Sequence, residues 1–132
     1  MRPMVIATHG TLANGLLAAA EMIVGTAPDA RAVNFEIGMS VDDLTNAVNL
    51  AIEEIGGDDP VLVLVDLAGG SPSRVAATLA LDGRTKVLAG VNLPMVIAAL
   101  TEEDADLPAI VAAGRAGIDM YGNAPAASGG LR

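Results

Sequence analysis

Hydrophobic residues fall along this chain in two rhythms. Four short runs, rich in β-branched residues and bounded by turn formers, read as strands: MVIAT (4–8), AVNFEI (32–37), VLVLVD (61–66) and KVLAGVN (86–92). In the second run Val33, Phe35 and Ile37 alternate with Asn34 and Glu36, the period of an edge strand with one wetter face. The third is apolar without a break up to Asp66, as expected of a central strand covered on both sides. Between the runs the spacing is helical. Over 12–24, Leu12, Leu16, Ala19 or Ala20, and Ile23 share one face, and Gly25 stops the helix. Over 41–55 the stripe is Leu44, Val48 and Ile52, with Ala47, Ala51 and Ile55 beside it. Ser40 and Asp43 have the spacing of a capping box at its start. Three further helices are led by proline: 72–81, with Ser71 as cap and Pro72 as first helical residue, then 94–103 and 108–117.

Strand and helix alternate, which means parallel strands joined by right-handed crossovers. The predicted fold class is therefore α/β: a doubly wound, mainly parallel four-stranded sheet of order 2-1-3-4 with helices on both faces. GIDMYG (117–122) reads as a short extra strand. The expected organisation is one domain over 1–122 and a flexible tail, NAPAASGGLR, over 123–132.

Composition narrows the function classes. Apolar residues make up 52% of the chain but aromatics only 2%, so the core is built from Ala, Val, Leu, Ile and Met, and there are no platforms for stacking bases. A net charge of −9 and a pI of about 4.2 argue against nucleic acid and against an anionic membrane surface. With no cysteine there is no disulfide and no thiolate-held zinc. No run reaches the roughly 20 apolar residues of a membrane span, and none has the form of a signal peptide, so a cytoplasmic protein without membrane insertion is expected.

The chemistry must then sit where the topology puts it. In an open α/β sheet, ligands bind beyond the carboxyl ends of the strands where the strand order reverses. Here that is between the first and third strands. Their ends are Thr8-His9-Gly10, with the chain's single histidine, and Asp66-Leu67-Ala68. Next comes Gly69-Gly70-Ser71-Pro72, a glycine turn into a helix start, which suits an anion. Each feature also has a plain structural reading: His9 a solvated strand end, Asp66 a turn former, Gly69–Pro72 a tight turn with a cap. Met39 and Met95 offer an apolar rim for docking. One histidine and scattered acids make no metal set, and no cofactor is called for.

IATHG (6–10), VDLAGGSP (65–72) and AGVNLPM (89–95), together with AEMIVG (20–25), resemble the signature segments of the IIA domain of the mannose-type phosphoenolpyruvate:sugar phosphotransferase system. The likeness runs over residues 4–120. It implies a phosphocarrier. A phosphoryl group would pass from the histidine phosphocarrier protein HPr to His9, and from His9 to a IIB component for coupled sugar uptake and phosphorylation. Asp66 would be the supporting carboxylate and Ser71 the serine beside the phosphate. Thr8, Gly10 and Gly70 are grouped with Ser71 as phosphate-binding. The resemblance also implies a homodimer in which the C-terminal strand, GIDMYG, swaps onto the partner's sheet. Leu67 and Ala68 depart from the family, where relatives carry a hydroxyl or a large aromatic. No IIB domain follows, so the acceptor is expected to be a separate chain.

Three alternatives stand beside this reading. A phosphotransfer subunit serving dihydroxyacetone kinase shares the histidine after the first strand, but its later loops differ. A receiver domain would phosphorylate Asp66, yet it needs an acidic pair where this chain has Thr8-His9-Gly10. A binding module would hold a small anion in the same crevice without covalent chemistry.

Overall fold

The computed structural model describes residues 2–121. Its elements run β1 (Met4–His9), α1 (Leu12–Val24), β2 (Ala30–Phe35), α2 (Val41–Ile55), β3 (Val61–Val65), α3 (Ser71–Ala80), β4 (Thr85–Ala89), α4 (Leu93–Thr101) and α5 (Leu107–Ala116). The four strands form a parallel sheet of order β2-β1-β3-β4, the order predicted.

Alternation in the central strands feeds two cores. Met4, Ile6, Leu62 and Leu64 point to one face, where α1, α4 and α5 cover them with Ala13, Ala20, Met95, Val96 and Ile110. Val5, Ala7, Val61, Val63 and Val65 point to the other, under Leu44, Val48 and Ile52 of α2 and Val75, Ala76 and Leu79 of α3. All of these side chains are buried. The small residues of α1 and α3 let the helices lie close on the sheet, which is how a chain almost without aromatics fills its interior.

The helix ends follow local chemistry. Ser40 and Asp43 form the reciprocal capping box, each side chain taking the other's backbone N–H at 3.0 Å. Asn92 accepts the Met95 N–H at 3.0 Å, and its Nδ2 donates to the Gly114 carbonyl at 2.9 Å, so one amide starts α4 and holds the end of α5. Gly114 packs so tightly there that an added Cβ would stand 2.3 Å from Met95 Cγ. Met95 is 4% exposed and lies in the core, so it is no part of a surface rim. Met39 is turned inward on its own loop, where its sulfur accepts the Glu36 N–H.

Several boundaries move from the sequence expectation. β2 lies over 30–35, not 32–37, because the chain turns at Glu36, whose carbonyl takes the Met39 N–H at 3.0 Å. Ile37 is left wholly exposed. β4 ends at Ala89, because Gly90 turns the chain out with φ +82. Helix α3 starts one residue earlier than expected, at Ser71, with Gly70 as its N-cap. Residues 117–121 form no strand within this chain, and Ile118, Met120 and Tyr121 are exposed. Gly122, the expected boundary there and the tail over 123–132 lie outside the described residues. Among the described residues no helix is long and apolar enough to cross a membrane.

Candidate functional site

The order 2-1-3-4 makes β1 and β3 neighbours, and their parallel register brings their carboxyl ends to the same edge. His9 is the last residue of β1, and Asp66 directly follows β3. The two side chains meet. Asp66 Oδ2 accepts the His9 backbone N–H at 3.0 Å and lies 3.0 Å from His9 Nδ1; Oδ1 lies 3.2 Å from the same nitrogen. Oδ1 also accepts the Leu67 N–H at 2.9 Å. With a carboxylate as the only partner of Nδ1 among the described residues, that nitrogen carries the proton, and Nε2 is the nitrogen they leave open.

Burial differs between the two partners. The His9 side chain is 45% exposed and that of Asp66 17%. Burial alone would raise the Asp66 pKa. The His9 backbone N–H, the imidazole hydrogen bond, the imidazole charge and a nearby backbone amide together outweigh it, so the carboxyl titrates below its ordinary value. Asp66 is therefore a fixed anion at neutral pH, held against the imidazole.

Two further groups confine the ring. Phe35, the only phenylalanine of the chain, is paired with His9 across the β1–β2 ladder. Its ring meets the imidazole edge to face, with centroids 5.9 Å apart and planes at 69°. Gly70 lies beneath the Cε1–Nε2 side of the imidazole. The sequence pattern marked Phe35 only as a strand residue; the signal overlooked was that a strand flanking the first would set its last aromatic beside the histidine.

The four residues expected to bind phosphate divide. Thr8 is fully buried. Its hydroxyl accepts the Ala13 N–H at 2.7 Å and donates to the His9 carbonyl at 3.2 Å. It caps α1 from below, in place of Thr11, whose side chain makes no cap hydrogen bond. Thr8 thus braces the histidine turn and does not open onto the site. The Gly10 amide is spent on the Phe35 carbonyl at 2.9 Å, and the Gly70 amide on the Leu67 carbonyl at 3.1 Å. Gly10 earns its place by conformation, with φ +59 at the turn out of β1. Ser71 is different. As the first residue of α3 its N–H has no helical partner, and its hydroxyl makes no internal hydrogen bond among the described residues. Pro72 has no N–H, and Ser73 supplies the next open amide. The open donors at the start of α3 are therefore those of Ser71 and Ser73, and the helix dipole adds to them.

Leu12, the first residue of α1, and Ile37 and Leu67, in the loops after β2 and β3, are exposed at the end of the sheet that carries His9. Among the described residues no group of three or more His, Asp or Glu gathers to hold a metal ion.

Residues 3–113 match the family described as "PTS system fructose IIA component" (EIIA-man). The chain is 36% identical over 103 residues to the PTS system mannose-specific EIIAB component of Escherichia coli, covering 77% of this chain and 32% of that protein, so it spans about a third of that relative's length. It is 34% identical over 102 residues to the fructose-specific EIIA component of Bacillus subtilis, covering 76% and 70%. Among solved structures it superposes on a phosphotransferase system EIIA component from Streptococcus agalactiae with TM-score 0.81 and 28% identity, over 92% of this chain and 98% of that one. It superposes on the mannose/sorbose specific IIA subunit from Enterococcus faecalis with TM-score 0.80 and 29% identity, over 97% and 100%.

Proposed function

The chain belongs to the mannose-type IIA family of the sugar phosphotransferase system, and from that membership we propose that it carries a phosphoryl group on His9 between phospho-HPr and a IIB component. The observation that supports this best is the asymmetry of the imidazole: Nδ1 is held by the Asp66 carboxylate, and Nε2 is open beside the start of α3.

On this reading Nε2 attacks the phosphorus of the donor's phosphohistidine. A new N–P bond forms as the donor's N–P bond breaks, and the donor imidazole leaves with that electron pair. His9 keeps its Nδ1 proton and becomes a phosphoimidazolium, whose charge Asp66 balances. The Ser71 hydroxyl and the Ser71 and Ser73 amides hold the phosphoryl oxygens. Little else is required, because phosphoryl transfer is mainly positioning and charge stabilisation. Discharge to the acceptor runs the same steps in reverse. Leu12, Ile37 and Leu67, exposed at the end of the sheet that carries His9, offer apolar contacts to both protein partners. The exposed Ile118, Met120 and Tyr121, and the outer edge of β4, unpaired among the described residues, support a homodimer completed by an exchanged C-terminal segment.

The test is phosphorylation from phosphoenolpyruvate through enzyme I and HPr, followed by mapping of the modified residue. One phosphoryl group is expected, acid-labile and base-stable, on His9, with labelling abolished in a folded His9→Ala variant. A base-labile label on Asp66, or none at all, overturns the proposal. Solution mass tests the assembly, and a strict monomer at micromolar concentration removes the exchanged segment.

A further inference from the structure

Two adjacent glycines lead into α3, and they are glycine for different reasons. Gly69 has φ +83, a conformation that favours glycine. Gly70 has φ −75 and ψ 170, extended backbone open to any residue. It is the N-cap of α3, a position where Ser, Asp or Asn serves at least as well. Neither backbone nor capping explains the missing side chain. Space does. A Cβ at residue 70 would stand 2.8 Å from His9 Cε1, 3.3 Å from the Leu67 carbonyl oxygen and 3.5 Å from His9 Nε2. The Leu67 carbonyl is pinned, because it accepts the Gly70 N–H at 3.1 Å. With a carbonyl on one side and the ring on the other, only the ring can give way. If it does, it leaves the carboxylate 3.0 Å from Nδ1 and the edge contact with Phe35.

We propose that Gly70 is a positioning residue for phosphoryl transfer: its bare Cα forms the slot in which the Cε1–Nε2 side of the His9 ring lies, keeping Nδ1 on Asp66 and Nε2 beside Ser71. The kinetic consequence rests on the transfer role proposed above, whereas the geometric consequence does not. The slot also accounts for the order of the loop, in which a turn glycine, a slot glycine and an open helix start follow one another.

Gly70→Ala tests it. The backbone angles suit alanine, so the variant is expected to fold. Phosphorylation by phospho-HPr should slow by at least about tenfold through kcat, with KM for phospho-HPr nearly unchanged, because the exposed side chains offered to the donor stay as they are. Gly70→Ser, a better cap, should be equally slow. Imidazole NMR gives a readout independent of transfer: the Nδ1–H signal held by Asp66 in the wild type should be lost to solvent exchange in Gly70→Ala. A thermal cycle with His9→Ala covers the case of a destabilised variant. Any drop in Tm caused by Gly70→Ala should shrink in the His9→Ala background, where the ring is gone and only the Leu67 carbonyl still crowds the new Cβ. The slot is overturned if Gly70→Ala transfers within about twofold of wild type, if the ring signals do not move, or if the Tm drop is the same in both backgrounds. Should the wild type take no phosphate on His9, the transfer role fails, while the NMR and thermal arms still decide the slot.

Discussion

Asp66 grips His9 at two points, taking the backbone N–H and the ring Nδ1 on one carboxylate oxygen at 3.0 Å each. The aspartate therefore fixes where the β1 end lies as well as which way the imidazole faces. The second carboxylate oxygen, on the Leu67 N–H, ties the β3 loop into the same arrangement.

Asp66→Asn keeps the shape and removes the charge. The amide then presents either N–H or C=O to Nδ1, and the phosphoimidazolium loses its counter-ion. Transfer in both directions should slow by about 10- to 100-fold, the kinetic equivalent of a charge-assisted hydrogen bond worth about 1.5–3 kcal/mol. Rapid-quench measurement of forward and reverse transfer checks this, and a wild-type rate would remove the carboxylate from the reaction.

The lowered Asp66 pKa also has a thermodynamic signature. A carboxyl that titrates lower in the folded than in the unfolded chain adds stability that is complete above its ordinary value of 3.8 and is lost as pH falls below that, through the folded value. Urea unfolding in acid should show the gap between wild type and Asp66→Asn closing as pH falls below about 3.8. A gap that stays constant into acid would contradict the shift.

Ser71 and Asn92 both stand at helix starts, with opposite consequences. Asn92 caps α4, so Asn92→Ala should cost about 1 kcal/mol or more of stability, read by denaturant midpoint. The Ser71 side chain caps nothing, so Ser71→Ala should stay within about 0.5 kcal/mol of wild type. Its effect should appear instead as a phosphotransfer rate lowered by about tenfold.

Thr8→Val is nearly isosteric but removes the hydroxyl that serves Ala13 and His9. It strands a buried N–H and should destabilise by about 1–3 kcal/mol. Amide exchange at Ala13 should quicken with it. Thr8→Ser, which keeps the oxygen, should restore most of both.

Most of the architecture is legible in the sequence because the signals there are local. The unbroken VLVLVD run, the Ser40–Asp43 spacing and the proline-led helices each state their own conformation. Even the meeting of His9 and Asp66 follows from strand order alone. What the pattern hides is where hydrogen bonds are spent. Gly10 and Gly70 look like phosphate cradles until their amides are traced to Phe35 and Leu67. Thr8 sits beside His9 in sequence, yet the pleat turns it inward to α1. The β2 boundary is misread for a related reason: Ile37 continues the period-two alternation, but the turn at Glu36–Met39 has already taken the chain out of the sheet. Only the Gly10–Phe35 bond is distant in sequence; the Gly70–Leu67, Thr8–Ala13 and Glu36–Met39 contacts are local, and they are settled by how the chain turns rather than by residue type.

On the proposed role, a carrier whose Nε2 is its one open ring nitrogen has a single berth. Supplier and recipient must use it by turns, so a crowd of charged suppliers would delay unloading as surely as a shortage would delay loading. Steady-state reciprocal plots should then run parallel at low partner concentrations and steepen once either visitor is in excess, and throughput should peak where the two are balanced.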